Sequence, residues 1–302
     1  MDGIVNLLKP SGMTSHDCVY ALRKISGEKK IGHSGTLDPN ACGVLPLFLG
    51  RATRLIEYTD CAVKNYRCEM LLGLVTDTQD IWGDVLQDNR ASIESIPEET
   101  VKTAFLNFLG QIRQIPPSYS AIKVHGKRLY QYARDGQKIK VDARHVTVNQ
   151  ISLLSFNREN GRILFDIECS KGTYVRTICH DVGTYLGCGA CMSFLLRTST
   201  SGFFIEQART LQELASMTRT EFEQGLLSPA EALQFLKRIN LNSKEAELFL
   251  HGNIAFQKTL LPPDSCEGPY CDLFSVFYDN ELLGTAVYNK DEGYKPLKVF
   301  KQ

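Results

Sequence analysis

The 302-residue chain has one tryptophan, Trp82, and no surplus of charge of either sign: 34 Lys and Arg face 34 Asp and Glu. That balance excludes a uniformly basic surface, so any grip on a polyanion has to be local and offset by acid elsewhere. No apolar run approaches the roughly 18 residues of a membrane-spanning helix. The opening MDGIVNLLKPSG has neither the basic nor the long apolar stretch of an export signal, and none is expected. The G-x-S-x-G elbow of a serine hydrolase, the G-x-x-x-x-G-K-[ST] phosphate loop and H-E-x-x-H are missing. A hydrolase using Cys42 or a serine with a histidine base therefore has no signature behind it. Internal repeats and low-complexity segments are also absent.

Cysteine, by contrast, is plentiful, with ten residues. Most, including Cys18, Cys42, Cys61, Cys68, Cys169 and Cys179, sit in apolar segments rather than in a small disulfide framework, so free thiols in a reducing cytoplasm are expected. Cys188-x-x-Cys191 and Cys266-x4-Cys271 have the spacing of metal half-sites. A zinc site wants four ligands, and neither pair has a second half nearby, so no metal is expected.

Periodicity gives the outline. GIVNLLKP reads as a buried strand stopped by Pro10. SHDCVYALRKI reads as a helix capped by Ser15 with Asp17 in its first turn. Gly32–Leu45 reads as a loop, YRCEMLLG as a strand and residues 76–96 as a polar loop. PEETVKTAFLNFLG reads as a helix from Pro97 to Gly110. RILFDIECS alternates like a half-buried strand. TYVRTICHDVGTYLG is a helix with Val175, Ile178, Val182 and Leu186 on one stripe. SPAEALQFL carries a capping box, Ser228 to Glu231, with Pro229 at the first helical position. From about residue 236 the pattern becomes a short helix, NSKEAELFLHGN, and the runs LFSVFYD, ELLGTAVYN and PLKVFKQ, a small β-rich domain.

Charge is concentrated in one place. Between Lys123 and Arg144 seven basic residues (Lys123, Lys127, Arg128, Arg134, Lys138, Lys140 and Arg144) oppose Asp135 and Asp142, a local net charge of +5, with Tyr130 and Tyr132 interleaved. A solvated arm and a phosphate-gripping arm fit this pattern equally.

The stretch GHSGTLDPNACGVL, Gly32 to Leu45, sets one carboxylate, Asp38, between a glycine-rich turn and Pro39, with apolar residues on both sides. This segment resembles the signature of the TruB family of tRNA pseudouridine synthases. So do NLLKPSGMTSHD (Asn6–Asp17), KNYRCEMLLGLVTDTQD (Lys64–Asp80), IPPSYSAIKVHGKRLYQYARDG (Ile115–Gly136) and CSKGTYVRTICHDVG (Cys169–Gly183), in the family's order over roughly the first 200 residues. The last 65 residues resemble the family's PUA-like RNA-binding module.

The resemblance implies an α+β fold: a pseudouridine synthase domain over 1–235, with a mainly antiparallel sheet flanked by helices and an RNA-binding insertion at about 115–145, then a PUA-like domain over 236–302. It implies isomerisation of uridine 55 in the tRNA T loop to pseudouridine, with no cofactor or metal. The T arm of tRNA is the implied partner, with no guide RNA and no membrane, and the chain acts as a monomer in the cytoplasm.

Residue by residue, Asp38 matches the catalytic aspartate. Attack at ribose C1′, attack at uracil C6 and abstraction of a ribose proton all remain open for it. Arg176 matches an arginine paired with that aspartate; from its helical position alone it reads as a surface ion pair. Tyr66 matches a tyrosine that stacks on the target base. Flipping a base costs a few kcal/mol and an aromatic stack returns about 1–3. His33 matches a histidine beside the flipped nucleotide, and Leu195 an apolar residue against the uracil. Lys9 and Pro10 match a K-P block near the site that reads as a loop support rather than a chemical group, and Lys9 is also taken as an RNA contact together with Lys123, Lys127, Arg128 and Arg134. Cys42 departs from the family pattern, which has a small, often hydroxylated residue there.

Overall fold

The computed structural model describes residues 1–59, 63–90, 93, 96–137, 139–254, 272–291 and 293–300. Cys61, Lys138, Cys266 and Cys271 lie outside the described residues.

β1 (Gly3–Lys9) is buried on both faces although it ends the sheet, because the chain at Arg209 and Leu227 covers its outer edge. α1 (Ser15–Ser26) is capped by Thr14 and not by Ser15. The Thr14 hydroxyl accepts from the Asp17 amide and the Asp17 carboxylate accepts from the Thr14 amide. Ser15 is buried, and its hydroxyl accepts from the Leu37 amide at 3.0 Å. The segment read as a loop from Gly32 to Leu45 is one only over 34–41, between β2 (Ile31–His33) and β3 (Cys42–Leu49). β3 is apolar throughout, and an unbroken apolar run has no period to announce a strand.

A 3-10 turn at Gly50–Leu55 and α2 (Ile56–Thr59) lead into β4 (Lys64–Leu72). The expected polar loop 76–96 contains half a hairpin: β5 (Leu74–Thr76) pairs with β6 (Val85–Asp88). All four β6 residues are exposed, so no buried face marks the strand in the sequence. α3 (Glu98–Leu106) ends short of Gly110, which instead opens β7 (Gly110–Gln114). The arm holds β8 (Lys123–Val124), β9 (Lys127–Arg128) and α4 (Leu129–Arg134). Next come β10 (Arg144–Asn157), β11 (Arg162–Cys169), α5 (Val175–Tyr185), β12 (Ala190–Thr200) and β13 (Phe203–Phe204). Three short helices follow, α6 (Leu211–Ser216), α7 (Arg219–Gln224) and α8 (Pro229–Ala232), then β14 (Lys237–Asn240) and α9 (Ser243–Leu250). The chain finishes with β15 (Leu273–Tyr278), β16 (Glu281–Asn289) and β17 (Gly293–Val299). The Ser228–Glu231 capping box is present at α8.

The main sheet runs β1-β3-β12-β4-β11-β10-β7, with β2 beside β3 and β13 beside β12. Among the described residues its neighbours are antiparallel except β3 and β12. The fold is thus α+β, as expected. The parallel pair is close: a Cβ on Gly43 would fall 2.2 Å from the Arg197 carbonyl oxygen, and Gly43 has φ 113°. Only glycine lets the two backbones meet there.

Apolar side chains of β4, β11, β12, α3 and α5 form one core, and β1 and β3 pack on α1, α6 and α7 in a second. A third joins Ile4, Val44, Phe48 and Phe203 to Leu233 and Leu236, with Leu273, Leu282 and Phe300 packed against it. It is through this cluster that the four-stranded sheet β14-β15-β16-β17 rests on the body. The Tyr58 and Thr285 hydroxyls meet there at 3.1 Å.

Candidate active site

Strand pairing brings the site together. Cys42 at the start of β3 lies beside Leu196 of β12, and Arg197 of β12 lies beside Tyr66 of β4. On the other side of β4, Tyr66 lies beside Ile167 of β11, and β11 leads through a short turn to the first residues of α5. The 34–41 loop, the middle of β12, the start of β4 and the N-terminal turn of α5 therefore converge. They enclose a cavity of about 220 Å³ whose walls include Asp38, Tyr66, Arg176 and Leu195. Lys64 and Ser120 line it too. A larger cavity of about 510 Å³ lies between β1 and the 202–234 segment, away from Asp38.

The loop that carries Asp38 is held from several directions. Leu37 and Ala41 are buried in the core. The Asp38 carbonyl accepts from the Ala41 amide, the Pro39 carbonyl from the Gly12 amide, and the Gly35 carbonyl from Arg197 Nη2 at 2.9 Å. Gly35 has φ +70°, and a Cβ there would sit 3.0 Å from Lys64 Nζ and 3.1 Å from Arg197 Nη1. The positive φ favours glycine, and the two cationic side-chain ends leave a Cβ little room.

Lys9 fits the reading of it as a loop support and not the reading of it as an RNA contact. It is fully buried, and its ammonium donates to the carbonyls of Pro10, Pro39 and Ala41 at 2.6–2.9 Å. Burial lowers its pKa. All three ammonium hydrogens have carbonyl acceptors, two of them in the Asp38 loop, so Lys9 supports that loop, and its burial does not fit an RNA contact.

Asp38 keeps 38% of its side-chain surface open, whereas Arg176 keeps 5%. The acid faces the cavity and the base lies beneath it. Arg176 Nη2 is 3.1 Å from both Asp38 oxygens and also donates to the Tyr119 carbonyl at 2.9 Å. The reading of Arg176 as a surface pair is therefore wrong, since the side chain is buried. Its Nη1 faces Asp80 Oδ2 at 3.9 Å, and Asp80 accepts from the Thr78 hydroxyl and the Trp82 amide. Burial pushes the Asp38 pKa up. Arg176 opposes that, the like charge of Asp80 adds to it, and Lys9 opposes it. The result is a poorly solvated carboxylate with its counter-charge behind it, an arrangement suited to a nucleophile or a base.

Tyr66 is buried with its ring on the cavity wall, and its hydroxyl is hydrogen-bonded to Arg197. Burial pushes that hydroxyl up to about 12, so it stays protonated. Arg197 is fully buried, its Nε donating to the Val44 carbonyl at 2.7 Å. His33 ends β2, two residues before Gly35, and is not on the cavity wall. The Cys42 thiol donates to the Leu195 carbonyl at 3.6 Å and burial raises its pKa, which makes it a poor nucleophile. Cys188 and Cys191 are both buried, with the Cys188 sulfur directed at the Gly189 carbonyl. Among the described residues no three His, Cys, Asp or Glu side chains are grouped to hold a metal ion, and no helix is long and apolar enough to cross a membrane.

The arm is rooted beside this site. β7 and β10 pair directly, Gln114 opposite Arg144, so residues 115–143 are an excursion from one hairpin. Buried Gln114 clamps the root to Tyr174: its Oε1 accepts from the Tyr174 amide and its Nε2 donates to the Tyr174 carbonyl. Farther out, Lys127 pairs with Asp135 and lies over the Tyr132 ring, and Arg134 lies over the Tyr130 ring. Lys123, Arg128 and Arg134 are exposed.

Lys64, Asp80, Ser120 and Arg197 escaped the sequence reading as site residues. Each is a charged or polar residue in an ordinary strand or loop context, and only the fold assigns it a place. Lys64 and Asp80, at the two ends of the KNYRCEMLLGLVTDTQD block, and Ser120, in the Ile115–Gly136 block, had only that membership as a signal, and Arg197 had none.

Comparison with known proteins shows the family. Residues 23–175 match the family described as "TruB family pseudouridylate synthase (N terminal domain)", and residues 176–235 match "tRNA pseudouridylate synthase B C-terminal domain". A protein of Alkaliphilus oremlandii (strain OhILAs) named tRNA pseudouridine synthase B is 41% identical over 303 residues, covering 100% of this chain and 98% of its own. One of the same name from Streptococcus mutans serotype c (strain ATCC 700610 / UA159) is 42% identical, covering 99% of each. Among solved structures, a chain of a Cbf5-Nop10-Gar1 complex superposes with a TM-score of 0.75 at 27% identity, over 99% of this chain and 85% of that one. With both family segments matched in order and relatives 41% and 42% identical along essentially their whole length, the chain belongs to the TruB family of pseudouridylate synthases.

Proposed function

We propose that the protein converts uridine 55 in the T loop of tRNA to pseudouridine, with Asp38 as the catalytic carboxylate. The relatives named tRNA pseudouridine synthase B support tRNA as the substrate. The observation that carries the reading is the Asp38 carboxylate, open to a cavity, backed by a buried guanidinium 3.1 Å away and walled by Tyr66 and Leu195. The target uridine leaves the loop stack, its base lies against the Tyr66 ring and Leu195, and the aromatic contact offsets the cost of flipping. Asp38, held ionised by Arg176, engages the nucleoside as nucleophile or base. The C–N glycosidic bond breaks and a C–C bond forms to the same ring.

Lys123, Arg128 and Arg134, with Lys127 held at Asp135, grip the phosphates of the T arm. His33, off the cavity wall, stands beside the flipped nucleotide, where it fills the vacated space or contacts a phosphate. Residues 1–235 form the catalytic domain, with the RNA-binding insertion at about 115–145. Residues 236–302 form a PUA-like module that touches the acceptor end. The end of the second family match at 235 and the start of the separate sheet at Lys237 support that boundary. The chain acts as a monomer and without a guide RNA. The test is a T-arm stem–loop incubated with the protein alone. Pseudouridine is expected from the wild type and none from Asp38→Asn. Binding without product, or an active Asp38→Asn, refutes the proposal.

A further inference from the structure

Gln79 sits in the left-handed region, φ 64°, which is unfavourable for a residue with a side chain such as glutamine. Strain of that kind persists where the surroundings over-determine it, and here they do. The Gln79 amide donates to the Thr76 carbonyl at 3.3 Å, its carbonyl accepts from the Met192 amide at 2.9 Å, and the Ile81 amide donates back to the Met192 carbonyl at 2.9 Å. The turn is thereby stitched to β12, and the Gln79 side chain reaches α5, where the buried Thr177 hydroxyl donates to its Oε1 at 2.7 Å. Thr177 follows Arg176 in sequence, and Gln79 precedes Asp80. Two successive residues of the turn thus meet two successive residues of the helix: 79 with 177, and 80 with 176 at 3.9 Å.

We infer that the Gln79–Thr177 hydrogen bond is a positioning device for the reaction, fixing the turn that carries Asp80 to the helix that carries Arg176 and so holding the guanidinium against Asp38. Neither residue is on the cavity wall; both act through Arg176. The inference rests on the reading of Asp38 as the catalytic group. The charged groups acting on Asp38 are Arg176 from α5, Asp80 from the turn and Lys9 from β1, with Lys64 of β4 on the same cavity wall. Arg176 is the strongest of those that favour its ionised form. Loosening the clamp weakens that influence first and moves Asp38 ionisation to higher pH.

The test compares Thr177→Val, Thr177→Ser, Gln79→Asn and the pair Thr177→Val/Gln79→Asn, with Asp38→Asn alongside, on a T-arm stem–loop. Asparagine accepts the left-handed backbone but is one methylene too short to reach Thr177, so it separates backbone from side chain. Thr177→Val and Gln79→Asn are each expected to lower kcat about three- to tenfold, the worth of one hydrogen bond, with KM little changed. The acid limb of the pH–kcat/KM profile should move to higher pH. Thr177→Ser should restore both, and the double variant should be no worse than either single. Wild-type kcat and pH profile in Thr177→Val and Gln79→Asn, with Asp38→Asn inactive, overturn the clamp alone. So does a loss that follows the melting temperature while the pH profile stays put, or one that Thr177→Ser does not restore. An active Asp38→Asn overturns the underlying reading and the clamp with it.

Discussion

At the scale of single residues, the site depends on which charges are buried and which are open. Asp38 is the acid with access to the cavity, and its neighbours tune it in opposite directions. Burial raises its pKa, Arg176 lowers it, Asp80 raises it and Lys9 lowers it. If catalysis needs the ionised form, activity is present above this raised pKa and falls as pH drops through it. The acid limb of kcat/KM should therefore lie above the roughly 3.9 of a free aspartate. Arg176→Gln should shift that limb to higher pH, because the main stabiliser of the anion is gone. Asp80→Asn should shift it lower, because a like charge is gone. A pH–rate series on the three proteins checks this, and limbs that coincide would show that neither residue tunes Asp38. Legibility at this scale divided by chemistry. Asp38 stood out because its frame is local: a turn, a proline and flanking apolar residues. Lys9 as an RNA contact and Arg176 as a surface pair misled because a long cationic side chain reads as surface in sequence, while the fold buries both by giving every donor of Lys9 a carbonyl and Arg176 two carboxylates and a carbonyl.

At the scale of elements, the arm was visible as charge and the hairpin beneath it was not. The +5 bias over Lys123–Arg144 needs only counting, but the pairing of β7 with β10 joins residues about thirty apart, which no local pattern encodes. The same holds for β6, whose exposed residues carry no burial signal. The arm's internal structure sharpens the expectation for binding. Lys127 is held by Asp135 and by the Tyr132 ring, whereas Arg128 is exposed at the open end of the β8–β9 hairpin, opposite Lys123. Removing one cation from a phosphate should reduce the slope of log affinity against log salt by about 0.7–0.9. Arg128→Ala is therefore expected to lower the slope by nearly one such step. Lys127→Ala should lower it by less, because it also releases Asp135. Binding titrations of T-arm RNA from low to moderate salt decide the matter. Equal slopes in all three proteins would remove the arm from the RNA-binding surface.

At the scale of the whole molecule, the sequence showed a change of character near residue 236, and the structure has a separate four-stranded sheet beginning at Lys237. What no periodicity could show is how that sheet is seated. Leu273, Leu282 and Phe300 pack against a cluster that includes Ile4, Phe48 and Phe203, and Lys298 reaches Glu57 and the Arg54 carbonyl. Its position is fixed by contacts between residues from about seventy to more than two hundred apart. That seating has a functional consequence which can be separated from its structural one. The last residue on the wall of the Asp38 cavity is Leu195, so the chemistry draws nothing from the C-terminal sheet. If that sheet holds the acceptor end, it should contribute to KM for whole tRNA and nothing to KM for an isolated T-arm stem–loop. The full chain is then expected to show a lower KM for tRNA than for the stem–loop, with similar kcat. Removing residues 236–302 should uncover part of the shared apolar cluster and lower the melting temperature. General damage of that sort acts on both substrates alike and cancels in the ratio of their KM values. The ratio itself should fall to about one only if the sheet does hold the acceptor end; a ratio unchanged by the deletion would assign the sheet a purely structural role.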